Sequence, residues 1–359
     1  DAAGGDPRCG EGGAAADVGE HALVEEANTS AVNGTGGPRE VREISLVAIG
    51  FVLVLFVFVL LWIFATVKFA CDGSLPARLA LWGLLPEAYA AISVPSVIAL
   101  IRLKSGPTPV IVLRGCVTDE GAEQLADALR RYGKKTRLEA LEIPCNPRLS
   151  AKGVQALVTV ATETGSELQE LDLSYNPHLG SDVVAALRPL LNPKVSKVTT
   201  LRLADCGLQV ADIQQLAEAA EKSRVLTLDL SCNELEGGGE ALACVLEAPL
   251  IEELTLVRCG LSAEDVRHVA EQLPYTSLKS LQLGGNPLGV AGLEAIAEHL
   301  PKTQIDQLDL EAIGVEAEDL GVLASAWVKR PFARIRLQGN RMTNEEIASF
   351  VKTLRTMQA

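Results

Sequence analysis

Side chains able to do chemistry are numerous in this chain but are not in formation. Eight cysteines and four histidines are spread over 359 residues. His21, His178, His268 and His299 fall in four separate stretches, and no cysteine takes the CxxC or CxxH spacing that a zinc ion needs. HExxH, GxSxG and GxxxxGK[ST] are likewise missing from the sequence. The glycines at 237–239 follow a turn and do not open a nucleotide-binding helix within a βαβ unit. Carboxylates are plentiful at 46, so pairs of them arise everywhere and belong to a solvated acidic surface. The sequence therefore predicts no catalytic residue, no metal and no cofactor: a chain that binds rather than reacts.

What recurs instead is a pattern that positions side chains. LQELDLSYN, residues 168–176, alternates leucine with polar residues as a half-buried strand would, and ends on an asparagine. Eight further copies include LEALEIPCN, VLTLDLSCN and LKSLQLGGN, and the central apolar anchors run from Ile111 to Ile335 at spacings of 26 to 30 residues. A fixed period of this size means a solenoid. Between the strings lie helical patterns such as DEGAEQLADALRRY and NEEIASFVKTL, the last preceded by a Thr343-x-x-Glu346 capping signature. One strand and one helix cannot bury their apolar faces alone, so stacked copies must close a shared core. The strands then form a parallel sheet inside, and wider helices outside force a curve.

The residue that ends each string turns inward where backbone groups would be buried without partners. An amide offers donors and an acceptor there, offsetting about 1–3 kcal/mol per unpaired group. Asn146, Asn176, Asn233, Asn286 and Asn340 hold the position; Cys116, Cys206 and Cys259 hold it in three other copies, and Ile313 departs from it. A thiol is small, tolerates burial and donates weakly. The pattern LxxLxLxx(N/C)xL over residues 110–359 resembles the ribonuclease-inhibitor-like class of leucine-rich repeat proteins. That class includes the repeat domains of NOD-like receptors and the Ran GTPase-activating proteins. The resemblance implies an α/β horseshoe of about nine repeats that serves as a scaffold for other proteins.

Ahead of the repeats the chain changes character. Residues 1–43 are an acidic Gly/Ala-rich tail with sequons at Asn28 and Asn33, and disorder is expected. Ile44 to Val67 is a run of 24 residues without a charge, bracketed by Arg42 and Lys68. At about 1.5 Å per residue it exceeds a hydrocarbon core of about 30 Å, so a transmembrane helix is expected. Residues 75–109 allow two assignments. One is an N-terminal cap over the first open core; the other is a second membrane segment at 79–101, against which Pro86, Glu87 and Pro95 count. The cap is preferred, which makes the chain single-pass. Sequons confined to the tail and unpaired thiols in the repeats place the tail outside and the repeats in the cytosol.

The net charge of −14 argues against nucleic acid, because phosphate binding rests on clustered lysine and arginine. Strand residues pointing away from the core follow from the period of two. Glu142, Asp172, Arg202, Asp229, Thr255, Gln282, Asp309 and Arg336 lie after the anchors, with Glu170 and Glu253 before them. This face is expected to bind a basic segment of a protein partner, with residues 44–67 held in lipid. The leading function is a membrane-anchored interaction scaffold. The alternatives are a GTPase regulator resembling the Ran activators and a structural accessory subunit of a membrane complex.

Overall fold

The computed structural model describes residues 110–115 and 117–356. The tail at 1–43, the apolar run at 44–67, the segment at 75–109 and Cys116 lie outside the described residues. Among those described, no helix is long and apolar enough to cross a membrane.

Strand and helix alternate through the repeats. In order these are β1 (Val110–Val112), α1 (Asp119–Thr136), β2 (Ala140–Glu142), α2 (Ala151–Glu163), β3 (Glu170–Asp172) and α3 (Asp182–Leu187). Next come β4 (Thr200–Arg202), α4 (Val210–Ala220), β5 (Thr227–Asp229), α5 (Gly239–Val245), β6 (Glu253–Thr255) and α6 (Ala263–Gln272). The last are β7 (Ser280–Gln282), α7 (Gly289–His299), β8 (Gln307–Asp309), α8 (Leu320–Lys329), β9 (Arg334–Arg336) and α9 (Asn344–Thr356). The sheet runs β1 to β9 in sequence order, every neighbouring pair parallel. Parallel neighbours need a crossover of a dozen residues or more, which each helix and its two joins supply. The register is anchor on anchor, with Leu141 beside Leu171 and Leu171 beside Leu201. Prolines at 274 and 301, which cannot donate to the preceding turn, convert the ends of α6 and α7 into short 3-10 turns, Leu273–Tyr275 and Leu300–Lys302.

Between sheet and helices lies one aliphatic core continuous from Ile111 to Leu337. In the third repeat Leu168, Leu171, Leu173, Leu179, Val183 and Leu187 are each no more than 3% exposed. Each such burial is worth roughly 1.5–3 kcal/mol, gained only against the adjoining repeat.

The turn after each strand holds a feature that the residue pattern does not announce. The residue before the ladder position is left-handed in every repeat. It is glycine at 115, 285 and 339, but Cys145, Tyr175, Asp205, Cys232, Arg258 and Ala312 adopt φ of 49 to 60° at the other six. A side chain in this conformation costs roughly 1–2 kcal/mol. The return is a hydrogen bond to the next repeat: Tyr175 N–H donates to Ala204 O at 2.6 Å, Cys232 to Val257 O at 2.8 Å and Ala312 to Gln338 O at 2.8 Å. These bonds continue the sheet's ladder past its three-residue strands.

Candidate functional site

The strand ends are fixed first, by the ladder. Asn233 Nδ2 donates to Leu203 O and Leu230 O, each at 2.8 Å, while its Oδ1 accepts from Cys206 N at 3.1 Å and Leu208 N at 3.0 Å. One amide thereby ties two consecutive repeats. Asn286 and Asn340 repeat the arrangement, donating to Leu256 O at 2.7 Å and Leu310 O at 2.8 Å. Asn146 and Asn176 sit in series, Asn146 N–H donating to Asn176 Oδ1 at 2.6 Å. In the thiol copies Cys206 Sγ donates to Leu173 O at 3.2 Å and Cys259 Sγ to Leu230 O at 3.4 Å, the same cross-repeat target. Ile313 is fully buried and makes no such bond.

On that frame the parallel register sets the outward side chains in two rows about 4.8 Å apart from strand to strand. One row reads Glu142, Asp172, Arg202, Asp229, Thr255, Gln282, Asp309, Arg336; the other contains Glu170 and Glu253. The first six of the row are half-buried by their neighbours, and Arg336 and Glu253 are exposed. Asp309, at 7% exposure, is effectively buried, with Arg336 Nη1 3.6 Å from its Oδ2. It is thus the least accessible of the residues that the strand pattern puts on this face.

Electrostatics concentrate in β2 to β5. Glu142 neighbours Asp172 with no cation between them, and Arg202 is drawn into an ion pair with Glu170. Burial pushes the Glu142 carboxyl above the usual carboxylate range; Glu170 and Asp172 push it further, and Arg202 and Arg114 only partly oppose them. Beside this patch stands Tyr175, half exposed at 51%, its phenol pushed up by burial and by the neighbouring Cys232 and Asp229. The ladder pattern absorbs Tyr175 as a variable position, so it was not among the expected contacts. The one sign of its role was an aromatic residue in a chain with only four tyrosines.

Three of the face aspartates also have a structural task. Asp172, Asp229 and Asp309 each accept from the backbone N–H two residues on, at Ser174, Ser231 and Glu311, all at 2.9 Å. The short side chain reaches this turn and a glutamate would overshoot it. Acids at the helix starts do similar work between repeats. Asp265 accepts from Ser262 N at 2.9 Å in its own repeat and from Gly239 N at 3.0 Å in the one before. Asp119 accepts from Ser150 Oγ at 2.6 Å and Asp212 from Ser181 Oγ at 3.0 Å.

The five cysteines among the described residues are free, but they are not alike. Burial pushes the Cys206 and Cys259 thiols up to about 12. Cys145 and Cys244 are exposed. Among the described residues no three His, Cys, Asp or Glu side chains converge as a metal would require.

Comparison with known proteins agrees with this geometry. A leucine-rich repeat family model matches residues 276–297. Mouse ribonuclease inhibitor is 27% identical over 301 residues, covering 81% of this chain and 65% of that protein. Pig ribonuclease inhibitor is 30% identical over 207 residues, 55% of this chain and 44% of that one. The mouse NACHT, LRR and PYD domains-containing protein 14 is 33% identical over 215 residues, 58% of this chain and 21% of its own length. The chain thus spans less than two thirds of these relatives. Family model, relatives and the amide ladder agree that the repeats are leucine-rich and similar to those of ribonuclease inhibitor.

Proposed function

We propose that this chain is a membrane-anchored scaffold that captures a basic segment of a protein partner on the open face of its sheet. The carrying observation is the patch of Glu142, Glu170, Asp172 and Asp229, where four carboxylates outnumber the guanidinium groups of Arg202 and Arg114. Adjacent like charges on a half-buried face raise the free energy of the unbound state, and an arriving lysine or arginine relieves it. Tyr175 at the edge of the patch supplies a rigid, partly apolar contact of the type that dominates binding energy at interfaces. One relative is by name an inhibitor of ribonuclease, a protein target, which supports a protein partner here. The apolar run of 44–67 supports the anchor, in a single pass with the repeats on the cytosolic side.

Crosslinking on intact cells followed by identification of the captured protein tests the reading. The variant Glu142→Lys/Glu170→Lys leaves the turn-closing aspartates in place and should weaken capture at least about tenfold, two interface charges being worth some 1.4 kcal/mol or more. Undiminished capture would remove the face as the binding site. Alkaline carbonate extraction tests the anchor independently, and release of the chain into the supernatant would remove the span.

A further inference from the structure

The two edges of the sheet differ in charge. At the edge where strands end and helices begin, acids crowd the first helical turns, as Asp119 and Glu120 in α1, Glu264 and Asp265 in α6, and Glu345 and Glu346 in α9. The helix macrodipole accounts for them. At the opposite edge, where helices end and strands begin, the acids Glu167, Glu252 and Asp306 are held by Lys197 at 2.5 Å, Lys279 at 2.8 Å and Arg330 at 3.4 Å. Glu139 and Glu247 are acids of this edge outside those pairs, and Glu163 and Glu221 pair there with Arg130 and Lys222. Lys194, Arg224, Lys302 and Lys329 are exposed there and form no ion pair among the described residues. Lys194 and Arg224 lie beyond the helices and their 3-10 ends, so the macrodipole does not explain them, whereas Lys302 closes the 3-10 turn after α7.

The same edge gathers exposed apolar side chains. Tyr275 is 85% exposed, Val328 57%, and Val195 and Leu250 46% each. These four interleave with the cations along consecutive repeats. Core packing explains none of them, since each points out of a join or a helix end. Strand β1 begins at Val110 on this edge, so the chain that precedes it joins the repeats there. Cations without an ion pair among the described residues, mixed with an aromatic and aliphatics at one level, match the headgroup region of an anionic bilayer, which attracts the charges and accepts the apolar tips.

We infer that the helix-to-strand edge of the repeats, through Lys194, Arg224, Lys302, Lys329, Leu250 and Tyr275, docks on an anionic phospholipid surface. Such docking would hold the sheet upright on the membrane and leave its open face accessible. It extends the proposed membrane location but does not require the 44–67 span.

The test places a benzoylphenylalanine at position 275 of the full chain, reconstituted into vesicles of phosphatidylcholine alone or with about 30% phosphatidylserine. Irradiation should yield phospholipid adducts at 275 in the anionic vesicles. The yield should fall at least about tenfold in neutral vesicles and in the variant Lys194→Glu/Arg224→Glu/Lys302→Glu/Lys329→Glu, each cation near an anionic surface being worth a factor of about five. Salt at about 1 M, where the Debye length is about 3 Å, should suppress it likewise. Equal adduct yield in both vesicles, or none in either while the chain stays vesicle-bound, would overturn the inference. Adducts between chains in place of lipid would overturn it too, assigning the edge to a second copy. Vesicle association that salt abolishes completely would remove the span while leaving the edge intact, so the two failures are distinguishable.

Discussion

At the scale of single residues, the ladder amides are the side chains whose loss should cost most. Asn176 Nδ2 donates to Ile143 O at 2.8 Å and Leu173 O at 2.5 Å, and its Oδ1 accepts from Asn146 N. Asn176→Ala leaves Ile143 O bonded to Asn146 Nδ2 at 3.0 Å and Leu173 O to Cys206 Sγ at 3.2 Å but strands the buried Asn146 N–H, and should lower unfolding stability by about 1–3 kcal/mol in a urea titration. Asn176→Cys should cost distinctly less, because Cys206 and Cys259 already show a thiol reaching the same carbonyl rung. Equal losses for the two variants would deny the thiol any part in the ladder. The thiols also differ in reactivity. With Cys206 and Cys259 pushed up to about 12, almost no thiolate exists at them near neutral pH. Brief alkylation of the native chain should therefore modify Cys145 and Cys244 and spare Cys206 and Cys259, as peptide mass spectrometry would register.

At the scale of elements, strand and helix order was legible because leucine spacing is dictated by burial, and burial is periodic. The ladder was legible for the same reason, a buried turn tolerating few polar residues. The left-handed turn was not, since Tyr175, Asp205, Arg258 and Ala312 have no type in common and the conformation is repaid by a backbone bond to the next repeat. Nor were the dual duties of Asp172 and Asp229, which a strand pattern assigns wholly to the face. Helix-start acids were readable as caps, but their grip on neighbouring repeats was not. Asp265 shows what that grip does. Burial alone would raise its carboxyl, yet bonds from Ser262 and from the N–H groups of Gly239 and Gly237 prevail and hold it below the usual range. A depressed folded-state pKa gives stability that is fully present above the unfolded value of about 3.9 and is lost as pH falls through the folded value. Asp265→Ala should thus destabilise at pH 7 by about 1–3 kcal/mol and narrow the gap in Tm between pH 7 and pH 3. A gap of unchanged width would mean the carboxylate is not the linked group. Gly239 meets the same contact from the other side: a Cβ there would lie 2.5 Å from Asp265 Cα, so Gly239→Ala should also destabilise.

At the scale of the whole molecule, a net charge of −14 is not spread evenly, and its placement makes binding depend on pH and salt in a definite direction. The free face holds Glu142 above the usual carboxylate range because of burial and the acids beside it. A basic segment seated on β2 to β5 adds a cation to that environment and lowers the same carboxyl. Linkage then requires proton release on binding, and affinity that rises with pH through the Glu142 titration and levels off above it. Calorimetry in two buffers of different ionisation enthalpy reads the released protons directly. Glu142→Gln removes the titrating group and should abolish most of the release while retaining part of the affinity through Glu170 and Asp229. Affinity should also drop as salt rises, since the half-buried patch still faces solvent. Proton uptake in place of release, or affinity indifferent to salt, would mean that the partner avoids the acids of β2 to β5 and that the repeats recognise it elsewhere.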